Sequence, residues 1–177
     1  MLRRLARLFS ALTLLVFLAA AWLMIQRPPP DVLKVPLVGP VSRIVVEKSA
    51  RRMTVYVGDQ VVRVYRVRLG FAPEAPKTRQ GDGRTPEGEF RIDRRNAASA
   101  YHLSLGIDYP RPQDRAQAAA LGVSPGGDIF FHGQPNQLPE GVTLAYDWTA
   151  GCIALANAEI AELFAATPIG AAVEILP

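Results

Sequence analysis

Met53-Thr54-Val55-Tyr56-Val57-Gly58-Asp59-Gln60-Val61-Val62-Arg63-Val64-Tyr65-Arg66-Val67-Arg68-Leu69 decides the fold class. Two runs rich in β-branched and aromatic residues flank a Gly-Asp-Gln turn, which is the composition and punctuation of a β-hairpin with strands at 53–57 and 61–69. Upstream, 44–47 predicts a short strand. Downstream, 70–88 is rich in glycine, proline and charge and reads as loop, after which 89–92 and 101–105 resume strand character. The alanine-rich stretch 114–121, with Asp114 near its start and Gly122 just past its end, predicts a short helix. Ser124-Pro125-Gly126-Gly127 is a turn that feeds a buried strand at 128–131 and then His132-Gly133. Asn157 is the predicted N-cap of a helix through Ala166, with Ile160, Leu163 and Phe164 on one face and Glu159 at the positive end of its dipole. Residues 172–176 close the chain as a strand. Many short strands, two small helices and no internal repeat predict a mainly β, α+β fold built as a partly closed sheet.

The front of the chain is of another kind. Residues 8–25 carry no charge over 18 positions, Arg3, Arg4 and Arg7 precede them, and Gln26-Arg27-Pro28-Pro29-Pro30 follow. A basic segment before an apolar stretch is an export signal. Ala19-Ala20-Ala21 suits cleavage, whereas the length of the apolar run suits a membrane anchor, so residues 1–27 read as either. The positive-inside rule leaves the arginines cytoplasmic and places the remainder outside. Five prolines between 28 and 40 make a semi-extended tether, and a domain is expected over 41–177. The net charge of +4 belongs to the first 30 residues, which hold four Arg and no acid; the rest carries 16 basic and 16 acidic residues. A formally neutral domain gives no argument for a nucleic-acid partner, and none is expected.

An exported protein ordinarily uses cysteines in pairs, yet Cys152 is alone. It is either a small buried hydrophobe or a working thiol. A free thiol ionises at roughly pH 8.5, so a working one needs a base or a helix N-terminus nearby. Gly151 before it permits close backbone approach, and the amides around Cys152 are candidates for an oxyanion hole. The chain has only two histidines. His132, at a strand end before Gly133, is the candidate base, or else a hydrogen-bonded structural histidine. His102, inside an apolar strand segment, reads as structural. One Cys and two His without a close ligand pair give no metal site, and no cofactor is expected.

His132-Gly133 followed by Thr149-Ala150-Gly151-Cys152-Ile153 resembles the His-Gly and Ser/Thr-x-Gly-Cys signature of YkuD-type L,D-transpeptidases. Upstream, Leu69-Gly70, Lys77 and Gly81-Asp82-Gly83-Arg84-Thr85-Pro86-Glu87-Gly88 resemble the family's Thr-Pro-x-Gly segment, which precedes a strand. The resemblance spans about 43–177. The main branch usually carries histidine before Gly-Cys and arginine two residues after Cys; Ala150 and Ala154 stand here instead. Asp147 to Leu155, with Asn157 and Glu159, is similar to the YafK-like branch, some of whose members resemble amidases that release murein lipoprotein. The resemblance implies a YkuD-like β-sandwich or partly closed sheet carrying a Cys152–His132 site, with Gly151 contributing an oxyanion amide. It implies a cell-envelope or periplasmic acyltransferase that forms a thioester with peptidoglycan stem peptides, or a related amidase acting on the peptidoglycan–lipoprotein link. The membrane is a further partner if the N-terminal segment is uncut. Lys77 and Arg84 are candidates to hold substrate carboxylates, or are solvated loop charges. Trp148 packs on the peptide or covers the core, and Gly133 and Thr149 are further candidates to line the site. Either Asp147 or a backbone carbonyl orients His132. A non-catalytic peptidoglycan-binding module and a thiol redox sensor are the competing classes.

Overall fold

The structure is a computed structural model that describes residue 37 and residues 39–177. The expected signal or anchor at 1–27 and most of the tether at 28–40 lie outside the described residues. Among the described residues no helix is long and apolar enough to cross a membrane.

The opening hairpin is present. Strand β2 (Arg52–Val57) pairs antiparallel with β3 (Gln60–Arg66) across a two-residue Gly58-Asp59 turn, with Gly58 at φ +58. Gln60, read as part of the turn, belongs to β3. β1 (Arg43–Glu47) flanks β2, and β8 (Ala172–Leu176) runs parallel to β1. In these strands alternate residues turn inward, as period-two burial requires: Ile44 and Val46, Met53 and Val55, Val173 and Ile175 are all buried. β4 (Gly88–Ser99) pairs with β8 and then with β5 (His102–Ile107), which pairs with β6 (Phe130–His132), and β6 pairs in parallel with β7 (Ile153–Ala154). The result is one eight-stranded sheet in the order β3-β2-β1-β8-β4-β5-β6-β7.

The sheet curls until its edges meet. Past β3, Arg68 exchanges both backbone hydrogen bonds with Ala154 of β7, at 2.9 and 2.7 Å. The strand predicted to run through Leu69 therefore leaves β2 at Arg66 and changes partner. Val67 and Leu69 stay buried through the crossing, so the hydrophobic pattern continues where the hairpin pairing stops. The expected partly closed sheet is thus a single curled one.

Among the described residues two helices complete the fold. α1 (Pro112–Ala120) starts at Arg111, whose N–H donates to the Asp114 carboxylate at 2.8 Å. α2 (Asn157–Ala166) buries Ile160 and Leu163 against the sheet. Its N-cap is Ala156 and not the expected Asn157; the Ala156 N–H donates to Glu159 at 2.9 Å, while Asn157 Oδ1 accepts the Gln134 N–H at 2.8 Å. Strand β4 is 12 residues long where four were expected. Its outer half, Asp93-Arg94-Arg95-Asn96, is exposed and lacks apolar alternation. It is held by pairing with β5 and by Arg94 and Arg95 lying over the rings of Phe130 and Phe164 at 4.8 and 4.1 Å.

The loop 70–88 is anchored from below by Lys48, which is only 2% exposed. Its ammonium donates to the carbonyls of Ala75 (3.0 Å) and Thr85 (3.2 Å) and pairs with Glu87 at 2.7 Å. Three partners meet the requirement that a buried charge be neutralised and hydrogen-bonded. The Thr-Pro-Glu-Gly segment is therefore a clamp: Thr85 is fully buried, its Oγ1 accepts the Gly70 N–H at 3.3 Å, and Glu87 holds the lysine.

Candidate active site

Parallel pairing of β6 and β7 aligns Phe131 with Ile153 and His132 with Ala154. Cys152, one residue before β7, therefore stands beside Phe130. Side chains alternate along a strand, so Phe131 and Ile153 point into the core while His132 and Cys152 share the opposite face as diagonal neighbours on adjacent strands.

His132 is 4% exposed. Its Nδ1 lies 2.7 Å from the Gly133 carbonyl oxygen. A carbonyl only accepts, so Nδ1 carries the hydrogen and Nε2 keeps a lone pair. Of the two groups proposed to orient this ring, the backbone carbonyl does so. Asp147 does not: its carboxylate accepts from Arg51 Nε at 3.0 Å and from the Leu69 N–H at 2.9 Å. Burial pushes the imidazole below the ordinary 6.5, with the Gly133 hydrogen bond opposing weakly, so the ring is neutral near pH 7.

The Cys152 thiol, half-buried, donates to the Asp128 carbonyl at 3.4 Å. Burial pushes it above the ordinary 9.0; the Phe130 backbone opposes this, the Asp128 charge adds to it and the Lys77 ammonium opposes it. Both groups are thus neutral near pH 7.

The turn carrying the cysteine is stapled by Thr149, which is 4% exposed. Its Oγ1 donates to the Cys152 carbonyl at 2.7 Å and accepts the Gly151 N–H at 3.1 Å. The Gly151 amide, expected to point at an oxyanion, is committed to this hydroxyl. Gly151 sits at φ +134, and a Cβ there would come 2.6 Å from the Arg84 carbonyl oxygen. Gly133 is buried too, with room for no side chain: a Cβ would lie 2.5 Å from Asn157 Oδ1. Both Thr149 and Gly133 therefore shape the site from behind.

Trp148 packs on the site. Its ring lies edge-on to His132 at 5.5 Å and near Tyr101 at 5.8 Å, and Tyr101 lies 4.7 Å from His132. The Trp148 indole N–H is buried without a hydrogen-bond partner among the described residues. Tyr101, from the β4–β5 turn, was not singled out in the sequence. It is brought in because its carbonyl accepts the Gly133 N–H at 2.9 Å, a tertiary contact with no local signature. Gln134, 1% exposed, was also missed; it ties the Leu155 carbonyl (2.7 Å) to the Leu144 N–H (2.9 Å) and so holds the 133–149 segment against β7.

The remaining expected residues have other partners. His102 opens β5 at φ +65, exposed at the turn and not within an apolar strand, with its N–H donating to Asn136. The Lys77 side chain is 3% exposed, and its ammonium binds Asp82 at 2.9 Å and the Arg79 carbonyl at 3.1 Å instead of being offered to a ligand. Burial alone would raise the Asp82 carboxyl, but the N–H groups of Arg79 and Thr78, the Lys77 ammonium and the Arg84 N–H hold it at about 2. Arg84 is half-buried beside a cleft. Among the described residues no group of three or more His, Cys, Asp or Glu is gathered as metal ligands.

A curled sheet with a thiol and an imidazole on one face defines a class, and comparison supplies its family: residues 41–175 match the YkuD family of L,D-transpeptidase catalytic domains. The chain belongs to this family. YafK of Escherichia coli K12, whose L,D-transpeptidase assignment is itself provisional, is 28% identical over 134 residues, covering 72% of this chain and 48% of that protein. The chain thus spans about half the length of the curated relatives it matches. Pgp2 of Campylobacter jejuni, a helical cell-shape determining protein, has a similar fold at TM-score 0.57 and 24% identity, over 78% of this chain and 48% of that one. Bd1075 of Bdellovibrio bacteriovorus is similar at TM-score 0.53 and 20% identity, over 82% and 51%.

Proposed function

We propose that this chain is a cell-envelope cysteine acyltransferase that takes its acyl group from peptidoglycan stem peptides. The observation that carries the reading is the shared face of His132 and Cys152, with His132 Nδ1 spent on a carbonyl and Nε2 free to act as base. In the proposed reaction Nε2 takes the thiol proton as sulfur attacks the donor carbonyl. The amine leaves with that proton, and a thioester remains on Cys152. The Gly151 N–H would exchange the Thr149 hydroxyl for the developing oxyanion. An amine acceptor then gives a crosslink or a protein attachment, and water gives hydrolysis. The expected domain at 41–177 and its delivery to the periplasm by residues 1–27 are part of the same proposal.

A second reading, amide hydrolysis of the peptidoglycan–lipoprotein link, is favoured by Ala154. This residue pairs with His132 across β6–β7 and is 1% exposed, so it offers no basic group to seat an acceptor or product. Mass spectrometry of muropeptides incubated with the enzyme and with Cys152→Ala tests both. Crosslinks formed with loss of a terminal D-Ala support acyl transfer. A lysine-bearing tripeptide released from lipoprotein-linked material supports hydrolysis. Identical products from both forms would sink the enzyme reading.

A further inference from the structure

A cleft of about 510 Å³ lies between the 70–88 loop and the segment that follows α1. The two walls are pinned by the Gln80 N–H donating to the Ser124 carbonyl at 2.8 Å. One wall, the segment after α1, is apolar, from Leu121 and Val123, and Leu121 is 66% exposed. The other carries Arg79 and Arg84. Among the described residues neither guanidinium has an ion pair or hydrogen bond, in contrast to Arg51, Arg52, Arg94 and Arg111, which are all paired with carboxylates. The one carboxylate on the cleft, Asp82, is saturated by Lys77 and three backbone N–H groups and cannot neutralise them. In a domain with equal numbers of acids and bases, two unpaired guanidiniums on one wall are a local excess of positive charge.

The cleft adjoins the thiol turn through the backbone. The Arg84 carbonyl packs on Gly151, and the Gly83 carbonyl packs on Gly70, whose own Cβ position is 3.0 Å from the Gly151 Cα. Planar guanidiniums suit carboxylates, which they bind through paired N–H donors. An apolar wall opposite suits the methylene stem that carries a carboxylate. We propose that the Arg79–Arg84 cleft is a subsite for a free carboxylate of the peptide acylated at Cys152, so that the enzyme selects acidic over amidated peptides. The inference rests on the stem-peptide reading above. It reassigns the expected carboxylate-holding role from Lys77 to Arg79, with Arg84 as its partner. Lys77 instead braces the loop that displays them.

The test uses the full chain in mild detergent and two probes: a stem tetrapeptide with free side carboxylates, and the same peptide amidated. Side-chain Nε–H NMR signals of arginine report the subsite, and intact mass of the protein reports acylation of Cys152. The acidic peptide should shift the Arg79 and Arg84 signals and the amidated one should not. The preference for acidic peptide in kcat/KM should fall on the order of tenfold for each guanidinium lost in Arg79→Gln and Arg84→Gln. Arg79→Lys should retain part of it, and Arg115→Gln, on the exposed face of α1, should keep it whole. Equal shifts with both peptides, no shift with either, or a preference that survives both Gln variants overturns the subsite. Shifts at Arg79 and Arg84 without any mass gain on Cys152 leave the carboxylate subsite standing and remove the acyl-transfer reading.

Discussion

Alanine at position 151 places a methyl group where the backbone of the Thr-Pro-Glu-Gly clamp lies. The cost has two parts. At φ +134 an L-residue occupies backbone space that glycine nearly alone uses, at roughly 1–3 kcal/mol. The new Cβ also meets the Arg84 carbonyl oxygen at 2.6 Å, and overpacking of this kind costs about 1–3 kcal/mol. Ile129 Cδ1, at 3.3 Å, is a flexible chain end and yields cheaply, but the carbonyl is held by the loop that Lys48 anchors. Gly151→Ala should therefore lose about 4 kcal/mol, lowering the melting temperature by more than about 10 °C. Gly58→Ala is the control: φ is +58 and a Cβ there meets nothing within 4 Å, so only the left-handed backbone cost of about 1 kcal/mol applies. Urea denaturation of both variants, with unchanged m values, measures the difference. Equal losses would refute the close approach of residues 84 and 151, and with it the connection between the cleft and the thiol turn.

Three further outcomes follow from the buried charges. The Asp82 carboxyl, held at about 2 against an ordinary 3.8, has a folded value below its unfolded one. Its contribution is present above the unfolded value and disappears as pH falls toward 2. Asp82→Asn should lower stability near neutral pH by about 1–2 kcal/mol and flatten that acid limb; an unchanged limb in urea titrations would assign it elsewhere. Lys77→Met removes a cation that lowers the Cys152 thiol, so the pH midpoint of iodoacetamide alkylation should rise further above the ordinary value, and a fall would contradict the placement of Lys77. Lys48→Met leaves Glu87 unpaired and should cost about 3 kcal/mol, much of it recovered by adding Glu87→Leu; no recovery in the double variant would show that the carbonyl contacts of Lys48 carry the effect.

What could be read in advance depended on where the determining contacts lie. Strand β8 was legible to the residue because the β-branched Val173 and Ile175 flank Glu174 in a short apolar run, and the opening hairpin because a glycine turn separates two β-branched runs. The two-residue β7 was not, since its partners His132 and Arg68 are distant in the chain. The outer half of β4 was missed because arginines that stack on Phe130 and Phe164 look like solvated charge. Asn157 has the chemistry of a cap, but its side chain serves Gln134, whose approach depends on the fold. At the site, Cys152 and His132 stood out by scarcity, whereas Tyr101 reaches the imidazole only because a hairpin turn hydrogen-bonds to Gly133. Lys77 and Asp82 were visible as charges, but only their burial shows that they neutralise each other and leave Arg79 and Arg84 without partners among the described residues.

The central claim is that Cys152 attacks with His132 Nε2 as its base. It is tested most directly by intact-mass spectrometry of rapidly quenched reactions with stem tetrapeptide, for the unaltered chain, Cys152→Ala and His132→Gln, across pH. The account predicts a mass gain equal to the donor minus its leaving amine, on Cys152 alone. It predicts loss of the gain in Cys152→Ala and a strong slowing in His132→Gln. Because burial keeps His132 neutral below its ordinary 6.5, the acid limb of acylation should fall below that pH and vanish with His132→Gln. Acylation of Cys152→Ala, or an unaltered rate and acid limb without His132, would contradict it.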